Sequence, residues 1–267
     1  MKEWVGPQGT LGSIWALTLS GFAGVFRSIV MWLTLAAAGI IVAVSVTTIV
    51  IVSMFDPDEV GFFFNGEFFA TVLGILTGLP LVVVLATVGA RVTSRDRMLG
   101  GLEFILSKPV PPWGYVLART ATPLLAATVI VFLPAFVMVA LLSVLVDPIP
   151  AGGTGALFGA LGYALLYTVG LAPLAVAVGS LVSNPRFATA AWLAVAWVTT
   201  PLVGIAEEMG ADWWWAFNPI VSLGSLGATF MGVPFVGDSV GAAWLVAVLY
   251  FVVPLVVLRL RIQEVVR

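Results

Sequence analysis

Long uncharged, apolar stretches alternate with short charged connections along this chain. Apolar runs of about 18 residues or more are typical of transmembrane helices, because a helix of about 20 residues crosses the ~30 Å hydrocarbon core of a bilayer. Six stretches meet this condition, with predicted boundaries at 29–54, 69–90, 120–146, 156–182, 187–206 and 240–258. The pattern therefore predicts an all-α polytopic membrane protein with one transmembrane domain over residues 1–267.

Two further uncharged stretches are too short or too interrupted for a span. Residues 11–26 carry apolar side chains at helical spacing, so we predict an interfacial helix on the cytoplasmic surface. Residues 213–237 contain two prolines and four glycines, which interrupt a helix. We predict an extracellular broken hairpin there, before the last span, that is either re-entrant or lies on the outer surface.

Composition supports the membrane assignment and narrows the chemistry. The chain is 61% hydrophobic and 9% charged, whereas about a quarter of the residues of a soluble domain are charged. It contains no Cys and no His, so disulfides, thiolate catalysis and the commonest metal ligand are excluded. We expect no metal site, no catalytic residue and no nucleic-acid partner, and therefore a protein that is not an enzyme.

The charges are sorted between the two sides of the predicted topology. With six spans and both termini inside, all 11 Lys and Arg residues fall on the cytoplasmic side. The opposite side holds only acids, which are Asp56, Asp58, Glu59, Glu67, Asp147, Glu207, Glu208, Asp212 and Asp238. Because Lys and Arg are enriched in cytoplasmic loops, this sorting favours a multi-pass protein of the cell membrane with both termini in the cytoplasm.

The predicted spans carry no ionisable residue between their boundary charges. Proton relays through a membrane generally use Asp, Glu or His, so proton-driven transport is disfavoured, although Na⁺ sites built from backbone carbonyls remain open. The chain also lacks a G-x-x-x-x-G-K-[ST] phosphate loop. Any ATPase that drives it is expected to be a separate polypeptide.

The basic connection at residues 91–119 is the strongest candidate for an interaction site. It carries four Arg and one Lys against two acids, and Leu99 to Leu106 have the spacing of a short amphipathic helix that Pro109 stops. The residues alone leave two interpretations open. The helix either docks on a cytoplasmic partner or lies on membrane lipid with its bases against anionic headgroups.

Residues 97–110 read RMLGGLEFILSKPV, and residues 115–119 read YVLAR. This sequence resembles the coupling segment of ABC-2 type ABC transporter permeases, with its charged lead-in, Gly-Thr-Leu-Glu, Ser-x-Pro-Val and Tyr-Val-Leu-x-Arg/Lys run. Gly101 departs from the Thr that is frequent in the family. Within the family, the chain is most similar to the permeases that accompany copper-enzyme maturation.

The resemblance implies the permease subunit of an ATP-driven exporter. Two such subunits, in a homodimer or a heterodimer, would pair with two ATP-binding subunits, which bind ATP and Mg while this chain holds no cofactor. The expected coupling residues are Arg97, Gly100, Leu102, Glu103, Ile105, Leu106, Ser107 and Pro109. The substrate stays open, and an ion-coupled secondary transporter without an ATPase is the alternative.

Overall fold

Helices form all the regular secondary structure of the described residues. The computed structural model describes residues 10–55, 60–100, 111–146, 149, 152–210, 213–235 and 239–266. In chain order the main helices are α1 (Thr10–Val25), α2 (Ile29–Phe55), α3 (Gly66–Met98), α4 (Pro112–Leu145), α5 (Gly153–Ser180), α6 (Pro185–Ala206), α7 (Pro219–Thr229) and α8 (Val240–Val266). All except α1 and α7 are long and apolar enough to cross a membrane. The prediction of an all-α polytopic membrane protein is confirmed.

The spans next to the basic connection are longer than predicted. α3 continues for two turns past residue 90 to Met98, and α4 begins at Pro112, two turns before residue 120. A charge ends an apolar stretch without ending the helix, because a long Arg side chain can reach polar surroundings from a helical backbone. Pro112 suits the first helical position, where its missing N–H has no partner to lose. Much of the predicted 91–119 loop is therefore helical.

The long helix α5 lies at the centre of the bundle. In its most apolar stretch 61% of the residues are buried, against 17% for α8, and it packs against α3, α4, α6, α7 and α8. Small residues allow this close packing. A Cβ atom at Gly179 would lie 2.0 Å from the Ala90 carbonyl oxygen of α3, and one at Gly159 would lie 2.2 Å from the Phe230 carbonyl oxygen. At these two points, backbones meet with no room for a side chain.

The middle of α3 contains two π-helical turns and is hydrogen-bonded to α6 in the same region. The helix widens to π-helical turns at Thr77–Leu81, which contains Pro80, and at Leu85–Gly89. Such turns interrupt the regular backbone ladder. Two tryptophan indoles of α6 donate hydrogen bonds to backbone oxygens in this region, from Trp197 to Gly78 (2.9 Å) and from Trp192 to Val82 (3.0 Å). These bonds fix α6 against the middle of α3.

The predicted helix at 11–26 is present as α1, which packs along the first turns of α4. A Cβ atom at Gly114 would lie 3.1 Å from the Ile14 side chain, and one at Gly21 would lie 2.7 Å from the Thr122 hydroxyl oxygen. The Thr18 hydroxyl lies between these contacts, 3.5 Å from the Ala118 carbonyl oxygen. Because the contacts advance together along both helices, α1 and α4 run in the same direction at this end of the bundle.

The segment before the last span enters the bundle. After α6 the chain forms a 3-10 turn at Trp214–Phe217, and α7 then begins at Pro219. The Tyr167 hydroxyl, from the second half of α5, donates to the Ile220 carbonyl oxygen at 2.5 Å. A Cβ atom at Gly170 would lie 2.7 Å from the Leu223 side chain. The start of α7 therefore packs against the middle of α5, and the position of this segment relative to a membrane stays a prediction.

Asn218 holds the inner end of α7. It is fully buried, and its side-chain oxygen accepts hydrogen bonds from the backbone N–H groups of Ile220 and Val221. Its side-chain nitrogen donates to the Thr200 hydroxyl of α6 at 2.9 Å. Free helix N–H groups inside a bundle need such partners, since no water is there to supply them.

Candidate functional site at the basic end of the bundle

The Lys and Arg residues that the structure describes all lie at one end of the bundle, called here the basic end. They are Arg27, Arg91, Arg95, Arg97, Arg119, Arg186, Arg259 and Arg261. They meet because α3, α5 and α8 end there, whereas α2, α4 and α6 begin there. Among the described acids, Glu67 and Glu208 lie at the opposite end, and Asp96 and Glu264 lie among the bases. The separation of charge expected from the sequence is therefore present in the described part of the chain.

A buried ion pair joins the end of α3 to the start of α4. The Arg119 Nε lies 2.7 Å from the Asp96 Oδ2, and these side chains are only 11% and 16% exposed. The Tyr115 hydroxyl donates to the same carboxylate oxygen at 2.6 Å, and its ring lies 5.5 Å from the Arg119 guanidinium carbon. The Arg119 Nε–H is not aligned for a hydrogen bond, so charge rather than a directed bond holds the pair. Buried charges persist in proteins when they are paired in this way.

Arg97, one of the predicted coupling residues, contacts the end of α5. Its Nη1 donates to the Ser180 carbonyl oxygen at 2.8 Å. Carbonyl groups in the last turn of a helix lack helical partners and carry partial negative charge, so a guanidinium is well placed there. Arg97 therefore links α3 to α5 within the chain, a role that the sequence did not indicate.

Gly100, the second predicted coupling residue that the structure describes, ends α3. Its φ of +66° is left-handed, and its N–H donates to the Arg97 carbonyl oxygen. Glycine is favoured in this position after a helix because it has no Cβ. The expectation that an amphipathic helix begins at Leu99 is wrong at its first two residues, which form the turn that closes α3. The preceding helix α3 continues to Met98. Leu99 and Gly100 are therefore needed to end α3 and do not start a new helix.

The other predicted coupling residues lie outside the described residues. They are Leu102, Glu103, Ile105, Leu106, Ser107 and Pro109. The structure does show where their segment leaves the bundle. Met98, Leu99 and Gly100 are exposed before it, and Pro111 is exposed after it.

The last helix also reaches the start of α4. The Arg259 guanidinium carbon lies 4.9 Å from the centre of the Trp113 ring, within the range of a cation–π contact. Leu258 and Ile262 pack with Tyr115 in a small apolar cluster just inside this contact. The first turn of α4 is thus held by α8 on one side and by α3 on the other.

Sequence reasoning missed the pairing of Asp96 with Arg119 and Tyr115. A signal was present, because Asp96 is one of only two acids in the base-rich segment 91–119. An acid among bases beside an apolar span is a candidate for a buried pair. Its partner could not be selected, since the sequence offers several other arginines that lie closer to it along the chain.

Comparison with known proteins adds no family to this geometry. No family model matches the chain, and no curated protein matches it. Within the described residues there is also no group of three or more Asp, Glu, His or Cys side chains that could hold a metal ion. The described site offers guanidinium groups at one end of an apolar bundle, which suit binding of carboxylates, phosphates and helix ends.

Proposed function

We propose that this chain is the membrane-spanning subunit of an ATP-driven ABC-2 type exporter in the cell membrane, with both termini in the cytoplasm. The resemblance of residues 97–110 and 115–119 to the coupling segment of such permeases supports the proposal. In this assignment a separate subunit binds ATP and Mg. A second permease subunit, identical or related, completes the transmembrane part.

The observation that carries the proposal is the ion pair at the root of the basic connection. Residues 99–111 join two helices whose ends are held together by Asp96 and Arg119. A partner that displaces this connection therefore moves α3 and α4 together. Arg97 passes the displacement to α5 through Ser180. These contacts between α3, α4 and α5 suit a connection that transmits the closure of an ATPase to the membrane spans.

A docking experiment tests the proposal at the connection itself. The chain and its candidate P-loop ATPase are co-expressed, extracted in detergent and purified through a tag on the permease. In the proposed complex, Leu102 lies in an apolar groove of the ATPase. We expect Leu102→Asp to reduce recovery of the ATPase by about tenfold, because a charge without a partner is costly in such a groove. Leu181→Asp is the matched control, since Leu181 is exposed at the basic end outside the connection. Equal recovery with Leu102→Asp and the control would contradict docking.

Glu103→Ala tests coupling rather than assembly. We expect the complex to form while ATP hydrolysis falls several-fold. The reason is that the Glu103 carboxylate is proposed to make a charged contact that positions the ATPase against this chain. Activity is measured as phosphate release by the purified complex in lipid vesicles. Unchanged hydrolysis in this variant would remove Glu103 from the proposed contact.

The energy source distinguishes the proposal from an ion-coupled secondary transporter. In sealed vesicles, activity should survive a protonophore and stop when the phosphate-loop Lys of the partner is replaced. Activity that depends on H⁺ or Na⁺ and persists with the inactive ATPase would favour the secondary transporter.

A further inference from the structure

A wide cleft opens at the basic end between α1, the start of α2, α3, α4 and the start of α6. Its volume is about 870 Å³, which is in the range of pockets that take small molecules or lipid groups. Its charged lining residues are Arg91, Arg95, Asp96, Arg119 and Arg186. Hydroxyl groups from Ser20, Ser28, Thr87 and Thr122 add polar contacts to the lining.

The cleft carries more positive charge than the chain neutralises. Asp96 is the only acid among the described lining residues, and it is already paired with Arg119. Arg91 uses its Nε to bind the Thr189 hydroxyl at 2.8 Å, which orients the rest of its guanidinium. Within the described residues, no side-chain hydrogen bond or ion pair engages Arg95 or Arg186, and both are exposed. Three arginines therefore remain available to an anion.

The same cleft has an apolar wall that extends toward the middle of the spans. Val25, Val30, Val88 and Val92 line it. Val88 is the deepest of them along α3, where its backbone lies two helical turns, or about 10 Å, before that of Arg95. A ligand that contacts both the arginines and the valine wall of the cleft carries a negative group at one end and a hydrocarbon chain at the other.

We propose that the cleft binds the phosphate headgroup of an anionic membrane lipid, with an acyl chain along the valine wall. Guanidinium groups bind phosphate oxygens in pairs of parallel hydrogen bonds, and basic pockets between membrane helices bind anionic headgroups. The valine wall favours a lipid over free phosphate, which shares the anionic chemistry but has no apolar part. The proposal does not rest on the transport function, because it needs only the cleft and a bilayer.

Lipid retention by the purified chain tests this proposal. The protein is exchanged into detergent with phosphatidylglycerol or phosphatidylcholine, and bound lipid is counted by native mass spectrometry. We expect the wild type to retain phosphatidylglycerol in preference. The Arg95→Gln/Arg186→Gln double variant should bind it about 30-fold more weakly, because each arginine near a headgroup contributes about a fivefold factor. Neither replaced side chain has an internal partner in the described residues, and a thermal unfolding curve checks that the fold is kept.

The Arg259→Gln/Arg261→Gln double variant is the control, and it receives the same thermal unfolding check because Arg259 contacts Trp113 of α4. It removes the same charge from the same end of the bundle, but neither residue lines the cleft. Retention of phosphatidylglycerol should stay near the wild-type level. Equal losses in both double variants, no loss in the cleft variant, or no preference over phosphatidylcholine would overturn the proposal. Displacement of the lipid by millimolar inorganic phosphate would assign the cleft to free phosphate and overturn it as well.

Discussion

At the scale of single residues, the two ion pairs that the described residues form at the basic end differ in their surroundings. Asp96 and Arg119 are largely buried, whereas Arg261 and Glu264 are 41% and 61% exposed. Removing one partner of a buried pair leaves an uncompensated charge away from water, whereas an exposed pair exchanges its contact for hydration. The buried pair is therefore the one on which the geometry of the basic end depends.

Asp96→Ala should destabilise the protein by about 3 kcal/mol, because it leaves the Arg119 guanidinium buried without its counter-charge. Glu264→Ala should change stability by less than about 0.5 kcal/mol, as for other exposed pairs. Thermal unfolding in detergent compares the two variants. Similar unfolding temperatures for Asp96→Ala and Glu264→Ala would mean that water reaches the Asp96 site.

Residue-level pairing is the part of the structure that the sequence predicts least. The sign and side of Asp96, Arg97 and Arg119 follow from charge sorting along the chain. Their partners depend on how α3 and α4 are rotated about their axes, which their packing against α5 helps to determine. The contact of Arg97 with Ser180 joins residues 83 positions apart, and no local pattern reports such a separation.

At the scale of elements, the crossing of α3 and α5 depends on a missing side chain. Gly179 meets the Ala90 carbonyl oxygen directly, whereas a Cβ atom at Gly155, near the start of the same helix, would meet nothing within 4 Å. An alanine normally favours a helix over glycine. Gly179 and Gly155 should thus respond to substitution by alanine with stability changes of opposite sign.

Gly179→Ala should lower stability by about 1–3 kcal/mol, because the added methyl group forces two backbones apart. Gly155→Ala should leave stability unchanged or raise it slightly, by up to about 1 kcal/mol. Denaturation of the two variants in the same detergent provides the comparison. A stable Gly179→Ala variant would show that α3 and α5 can separate at the basic end without cost.

The sequence predicts helix boundaries best where the first charged residue after an apolar run coincides with the end of the helix. The predicted span 29–54 differs by one residue from α2 at its end, since the Asp56 that ends the apolar run follows α2 directly. The predicted span 69–90 stopped two turns before α3 does, because Arg91 leaves the apolar region while the helix continues. The sequence does not predict α7 as a regular helix, because its glycines are typical of loops. In the structure these glycines make room for Tyr163 and Tyr167.

At the scale of the whole molecule, the separation of the described bases from Glu67 and Glu208 predicts one orientation in a bilayer. Lys and Arg near the spans are retained on the cytoplasmic side, and the described bases all lie at the basic end. We therefore expect that end to face the cytoplasm. The opposite end, with Glu67 and Glu208, should face away from it.

Single cysteines test this orientation cleanly, because the chain has none of its own. Met209 follows α6 at the acidic end and is 81% exposed, and Met98 ends α3 at the basic end and is 58% exposed. In intact cells, an impermeant thiol reagent should label Met209→Cys and leave Met98→Cys unlabelled until the membrane is opened. Labelling of Met98→Cys alone in intact cells would invert the topology.

The position of α7 has a consequence for how the protein is made. With 11 residues, α7 is too short to be inserted as a span in its own right, since about 20 are needed. Its inner end binds Tyr167, which is synthesised earlier, while the preceding turn accepts a hydrogen bond from Tyr250 of α8 at the Ala216 carbonyl oxygen (2.6 Å). The site that receives this segment is complete only after α8 has entered the membrane. We therefore expect docking of α7 to be a late event in biogenesis, which follows the synthesis of α8.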